Sequence, residues 1–134
     1  MDLELALRMC ESALKQAARE GAAISVAVVD AGGHLVSFQR MEGAGFAGAS
    51  LAPGWAYTAV AHRAPTAELG PWAVPGPEPY GARPERSGWT GGGIPLRADR
   101  GAGGRVAGGV GVSGGTPEQD LACAEAAALV WRTR

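Results

Sequence analysis

The 134-residue chain has no asparagine and a single lysine, Lys15, so arginine carries nearly all its positive charge. It also has no charge excess. The formal net charge is −1 and the pI about 6.1, which excludes the basic face that a phosphate-backbone partner needs. No apolar run approaches the ~20 residues of a membrane span. The opening Met1-Asp2-Leu3-Glu4 is acidic and lacks the basic start of an export signal. A cytoplasmic protein with no nucleic-acid or membrane partner is expected. Cysteine is scarce: Cys10 and Cys123 lie at opposite ends of the sequence, and one such pair reads as two buried thiols rather than a disulfide. Histidine is equally scarce. His34 and His62 have no partner at metal-ligand spacing, so no structural metal site is expected. No Ser/His/Asp arrangement can be assembled.

What is abundant is glycine and proline, 22 and 9 residues, concentrated after residue 40. With 46% hydrophobic and 19% charged residues, the chain can nonetheless pack one core, and residues 1–134 are read as a single domain. Leu3, Leu7, Cys10, Leu14 and Ala17 recur at helical spacing, predicting a helix over 2–20 stopped by Gly21. Ile24 to Asp30 and Leu35 to Arg40 predict a hairpin across Ala31-Gly32-Gly33-His34. Residues 43–50 read as a small-residue loop. A second helix is expected to start around Pro53, which suits a first turn, and to run to His62.

Thr66 to Leu69 predicts a short helical piece. Residues 70–88 hold five of the nine prolines and no periodicity, and read as one long excursion. Thr90 to Leu96 enters a strand that Pro95 confines to an edge or a bulge. Arg105 to Val112 is a glycine-heavy strand. Thr116, Pro117 and Gln119 form a capping box opening the last helix, with Glu118 and Asp120 placed where the helix dipole favours negative charge. The order predicts an α+β fold, an antiparallel sheet flanked by helices.

Gly109-Val110-Gly111-Val112-Ser113-Gly114 matches a dinucleotide fingerprint, but only 20 residues remain after it, read as helix to the end, with no return strand and no acidic residue about 20 positions on. Glycines that let the strand approach another surface explain it better. Asp30 precedes a glycine turn, where aspartate commonly accepts backbone hydrogen bonds. Asp30, Glu42 and His62 are the candidate acid–base groups. His34 sits at a hairpin tip and is expected to be exposed. Trp55, Tyr57, Trp72, Tyr80 and Trp89 lie in or beside the loop-rich middle and could line an apolar pocket.

Taken together, four blocks resemble the GlcG/HbpS-like family, related also to the C-terminal domain of PduO. They are Ala27 to Val36 with Arg40-Met41-Glu42-Gly43-Ala44; Ala56-Tyr57-Thr58-Ala59 with Pro65-Thr66; Gly91-Gly92-Gly93-Ile94-Pro95-Leu96; and Gly109 to Asp120. The match spans nearly the whole chain in order. The resemblance implies a profilin-like fold with a five-stranded antiparallel sheet, assembly into dimers or higher homo-oligomers, and, for some members, haem binding. Trp55 stands where the family usually has a lysine, which exchanges a cation for an aromatic wall.

Three functions follow as expectations. The first is a small-molecule-binding protein with haem as a possible cofactor, for which His34, His62 and Met41 could ligate iron. The second is a cofactor-independent biosynthetic enzyme acting on an aromatic or polyketide-like metabolite. The third is a structural or regulatory oligomer. The ligand site is expected among Arg40, Met41, Trp55, Tyr57, Thr58, His62 and Gly91, Gly92 and Gly93, with Arg40 as an anion anchor, close to a subunit interface. The glycine-rich strand is expected to offer the oligomer surface.

Overall fold

A computed structural model describes residues 1–69, 92–99 and 104–134. The elements are α1 (Leu3–Arg19), β1 (Ser25–Asp30), β2 (Leu35–Arg40), α2 (Gly48–His62), a 3-10 turn (Thr66–Glu68), β3 (Gly92–Arg97), β4 (Val106–Ser113) and α3 (Pro117–Arg132). Helices α1 and α3 pack together on one face of the sheet, and α2 covers the other. The fold is α+β, as expected, but among the described residues the antiparallel sheet has four strands rather than five, in the order β2-β1-β4-β3. The proline-rich stretch 70–88 lies outside the described residues. Among those residues no helix is long and apolar enough to cross a membrane.

Strand β4 dictates this layering. Its residues alternate between faces. Val110 and Val112 point to the α1/α3 core, with Val26, Val28, Ile94 and Leu96 beside them. Gly109 and Gly111 face α2, and here a side chain is impossible: a Cβ on Gly111 would run into the Ala52 carbonyl oxygen and the Ala56 nitrogen. Gly109 meets the Ala56 carbonyl and Val60 in the same way. The fingerprint-like glycines therefore seat a helix backbone on a strand. This also corrects the expected oligomer surface: β4 is an inner strand, and its glycine face is covered by α2 of the same chain.

Side chains cap the outer two helices, one as the Thr116 signal predicts and one that the sequence reading did not single out. Asp2 caps α1, its carboxylate accepting from the Leu5 N–H at 2.8 Å. The Thr116 hydroxyl accepts from Gln119 N–H, and the Gln119 side chain accepts from Thr116 N–H, completing the capping box of α3. Pro95 lies on β3, an edge strand among the described residues, a position that tolerates a missing N–H.

Two readings are corrected. The buried stripe of α1 is Leu5, Ala6, Met9, Cys10, Ala13 and Ala17, whereas Leu3 and Leu7 are 55% and 43% exposed. The alanines matter because they let α1 lie close to α3, tied by the Ser12 hydroxyl donating to the Ala126 carbonyl at 3.1 Å. Helix α2 starts at Gly48 rather than near Pro53, which lies inside it. Its N-cap, Ala47, offers no side-chain bond. The first turn is held by burial of Gly48, Leu51 and Ala52 instead, which overrides the missing cap. Cys10 and Cys123 are free and buried, as expected, and burial raises both thiol pKa values, that of Cys123 to about 11.

Because the Gly111 contact is with backbone, no side-chain truncation can relieve it. Gly111→Val is expected to destabilise the protein by about 3 kcal/mol, read as a melting temperature lowered by roughly 10 °C. An added Ala56→Gly change should not restore it; full rescue would show that the helix can stand off the strand.

Candidate functional site

The sheet register sorts the polar residues into two ends. Ser25 pairs with Arg40 and with Ser113, and Val112 with Gly92, so β2, β4, β1 and β3 present these residues at one end. Asp30 pairs with Gly108, and Arg97 with Val106, at the other. Five residue steps along β1 separate the two ends, about 17 Å.

The far end is organised by the β1–β2 turn. One Asp30 carboxylate oxygen accepts from the N–H groups of Gly32 and His34, both at 2.9 Å. Asp30 N–H in turn donates to the His34 carbonyl at 2.9 Å. The His34 N–H, followed by that of Gly32 and the imidazole, holds the Asp30 carboxyl below its ordinary range. The His34 Nδ1 lies 3.3 Å from the same oxygen, on a side chain that is 83% exposed. Gly33 turns the chain at φ +81°, and Tyr57 from α2 covers it so closely that a Cβ there would meet the phenol ring.

Beside this turn lies a cleft of about 590 Å³ lined by Gly32, Gly33, Tyr57, Arg63, Arg97 and Arg105, among others. Arg63 closes α2 in the left-handed conformation, φ 55°. Arg97 is spent on structure: it donates to the Gly104 and Arg63 carbonyls at 2.9 and 2.7 Å. The guanidinium groups of Arg63 and Arg105 have no partner among the described residues. Neither histidine is among the residues that line the cleft, but both are next to ones that do. The His34 ring folds over Gly32, and exposed His62 stands between the lining residues Ala61 and Arg63.

The near end holds a smaller cavity of about 250 Å³ between the start of α2 and the start of α3, bounded by Trp55, Ser113, Gly115 and Asp120. Asp120 is only 8% exposed. Its Oδ1 accepts from Gly115 N–H at 2.8 Å, and Gly114 N–H also bonds to it. Burial outweighs these bonds and pushes its pKa up to about 6.

The expected site residues divide accordingly. Asp30, Tyr57 and His62 belong to the far end. Glu42 is exposed just beyond β2 at the near end, so the three acid–base candidates do not converge. Arg40 is exposed at the end of edge strand β2, and the Met41 sulfur accepts from Ile24 N–H at 3.3 Å. Gly92 and Gly93 lie on the opposite edge, three strand spacings or about 14 Å away. Gly91 lies outside the described residues, as do Trp72, Tyr80 and Trp89. Trp55 is 2% exposed. Thr58 donates to the Gly54 carbonyl at 2.8 Å, and Gly93 N–H donates to Thr66 Oγ1 at 3.0 Å, in the closed packing of α2 against β3. One chain thus gathers Trp55, Thr58 and Gly93 but does not bring Arg40, Met41 or His62 to them.

Sequence reasoning passed over Arg63, Arg97, Arg105 and Asp120. The arginines stand at element ends with no motif around them. Asp120 read as a helix-dipole acid; the available signal was the Gly114-Gly115 pair behind it, whose N–H groups need an acceptor.

A family model described as haem degrading protein HbpS-like matches residues 1–129, and the chain belongs to the HbpS-like family. A 15.0 kDa protein of Citrobacter freundii, from the dhaT–dhaS intergenic region, is 35% identical over 128 residues, 93% of this chain and 87% of that protein. The crystal structure of Klebsiella pneumoniae ORFY superposes with TM-score 0.81 at 31% identity, covering 100% of this chain and 92% of that one. The crystal structure of a complex of PduOC with haem superposes with TM-score 0.78 at 33% identity, covering 97% and 94%.

Asp120 gives a pH prediction with a defined sign. A carboxyl whose folded pKa, about 6, exceeds its ordinary 3.8 penalises the folded state once ionised. That penalty is present above about pH 6 and relieved as pH falls towards 4. The stability of wild type relative to Asp120→Asn should therefore rise on acidification across this window, measured by denaturant unfolding at several pH values. A difference that stays flat with pH would contradict the raised pKa.

Proposed function

We propose that the chain binds haem, one to one, in the cleft beside the β1–β2 turn. The observation that carries this reading is the cleft's Arg63 and Arg105, whose guanidinium groups have no partner among the described residues, with the His34 ring against the lining residue Gly32. Support comes from family membership and from the haem complex of PduOC. The residues fit the group's chemistry. Haem brings its own four nitrogens, so one side-chain ligand suffices; among the described residues no three His, Cys, Asp or Glu converge as a free ion would need. His34 is the iron ligand in this reading. Asp30 holds its Nδ1 side and leaves Nε2 for the metal, the usual second partner of a ligating histidine. Arg63 and Arg105 take the propionates by charge-assisted hydrogen bonds. Tyr57 offers an aromatic ring to the macrocycle and Gly32–Gly33 a backbone without bulk. Bound haem would supply redox and ligand-binding chemistry at its iron. Asp30 is a positioning residue here, and Met41, engaged at the other end, has no part.

The comparisons lend no support to a biosynthetic enzyme of aromatic metabolites or to a purely structural role. The profilin-like arrangement belongs to this reading as an inference, supported by helices on both faces of an antiparallel sheet. So does a homo-oligomer. Its support is the exposed Leu3 and Leu7 of α1, Leu129 of α3 and Phe46, apolar groups that a second copy would cover. Light scattering at micromolar concentration should return a multiple of 13.5 kDa; a monomer mass would remove this part of the proposal.

Hemin titration should give a sharpened Soret band that saturates at one equivalent. His34→Ala should shift the band, and Arg63→Glu or Arg105→Glu should weaken binding by about tenfold or more, the worth of one charge-assisted bond. Met41→Leu should change nothing. Loose binding beyond one equivalent, indifferent to His34 and both arginines, would overturn the reading.

A further inference from the structure

The cavity at the near end of the sheet is separate from the proposed haem cleft, and its chemistry is the opposite. It is walled by Trp55 and Leu51 of α2, by Ser113 and the Gly114–Gly115 backbone, and by Asp120 of α3. Among the described residues Asp120 is the one charged group that lines it. A carboxylate carries about four acceptor sites. Two backbone N–H groups, of Gly115 and Gly114, occupy at most two of them. Behind the wall, the Ser25 hydroxyl, buried against Gly48, has no hydrogen-bond partner among the described residues. Buried polar groups normally have partners, and an ionised carboxylate in apolar surroundings is costly until a cation or donor joins it.

We propose that this cavity is a binding site for a small organic ammonium ion, its N–H groups donating to Asp120 and its carbon body lying against the Trp55 indole and Leu51. Charge excludes the alternative of an anion, which would face a carboxylate with no counter-charge on the walls. Size excludes large ligands: about 250 Å³ admits a short alkyl or single-ring amine and not a macrocycle. The charged groups nearby are Glu20 and Arg19 at the end of α1, which act on the neighbouring Cys123 thiol, and the exposed Glu118 of α3. On Asp120 itself only burial and the two glycine N–H groups act, so its own titration governs binding.

The test uses the full chain, labelled with ¹⁵N, and three probes: propylammonium, benzylammonium and, as the anionic control, propionate. At about pH 8 the ammonium probes should produce saturable shifts of the Gly114, Gly115 and Trp55 indole resonances, and propionate none. Affinity should fall about tenfold or more as pH drops from 8 to 5, because protonation removes the Asp120 charge. Asp120→Asn keeps an oxygen for Gly115 N–H and should abolish the pH-dependent binding. Gly45→Phe serves as a second variant. A Cβ there meets open space, so the ring can fill the cavity mouth without strain, and it should block binding with Asp120 intact. Saturable binding of propionate equal to that of the amines, no saturable shifts, or shifts that survive both variants would each overturn the proposal. Hemin binding should be unaffected by either variant, so failure here and failure of the haem reading are distinguishable.

Discussion

The molecule depends on the contact between the backbone of α2 and the glycine face of β4. With no Cβ at Gly109 and Gly111, helix carbonyls approach where a side chain would otherwise stand. That brings Trp55 down to a buried position and leaves Tyr57, two residues on, over the β1–β2 turn. It also fixes where α2 ends, and so where Arg63 stands relative to Arg97, whose guanidinium binds the Arg63 carbonyl. One close contact therefore sets the walls of both cavities. The valines between these glycines do the complementary work, filling the space under α1 and α3. A motif that resembles a nucleotide fingerprint thus serves packing, with small residues on one face of a strand and large ones on the other.

How much of this was legible follows the range of each interaction. The capping box of Thr116 and Gln119, the Asp30 turn and the edge position of Pro95 are satisfied within a few residues, and their signals survive without tertiary context. The start of α2 is different. Ala47 gives no cap and Pro53 mimics a first turn, yet Gly48, Leu51 and Ala52 are helical because the sheet buries them. The stripe of α1 was misplaced for a similar reason: leucines mark a face by hydrophobicity, but alanines mark the face that packs closest. Packing density, not apolar count, chose the interior side.

The candidate site was less legible than the fold because its charged members act through long-range placement. Arg40 and Gly93 are blocks of one family pattern, yet edge strands β2 and β3 hold them on opposite sides of the sheet. Sequence order suggested a single pocket; strand order dispersed it. Conversely, Arg63, Arg97 and Arg105 come from three separate elements and meet only because β3 and β4 are antiparallel neighbours beside the end of α2.

The two cavities then differ in a way that burial explains. At the turn end Arg63 and Arg105 are exposed, and hydrogen bonds from the turn hold the half-buried Asp30 carboxyl below its ordinary range. At the other end one carboxyl is desolvated, and its charge depends on pH near 6. The fold could have avoided that cost with an asparagine, which offers the same oxygen to Gly115 N–H. Asp120 instead retains a charge that the turn alone does not require. Nor does the helix dipole need it, since Glu118 already places an exposed carboxylate in the first turn. A penalised carboxylate beside an indole, in a cavity with no other charged group among the described residues, is what a bound cationic donor would complete.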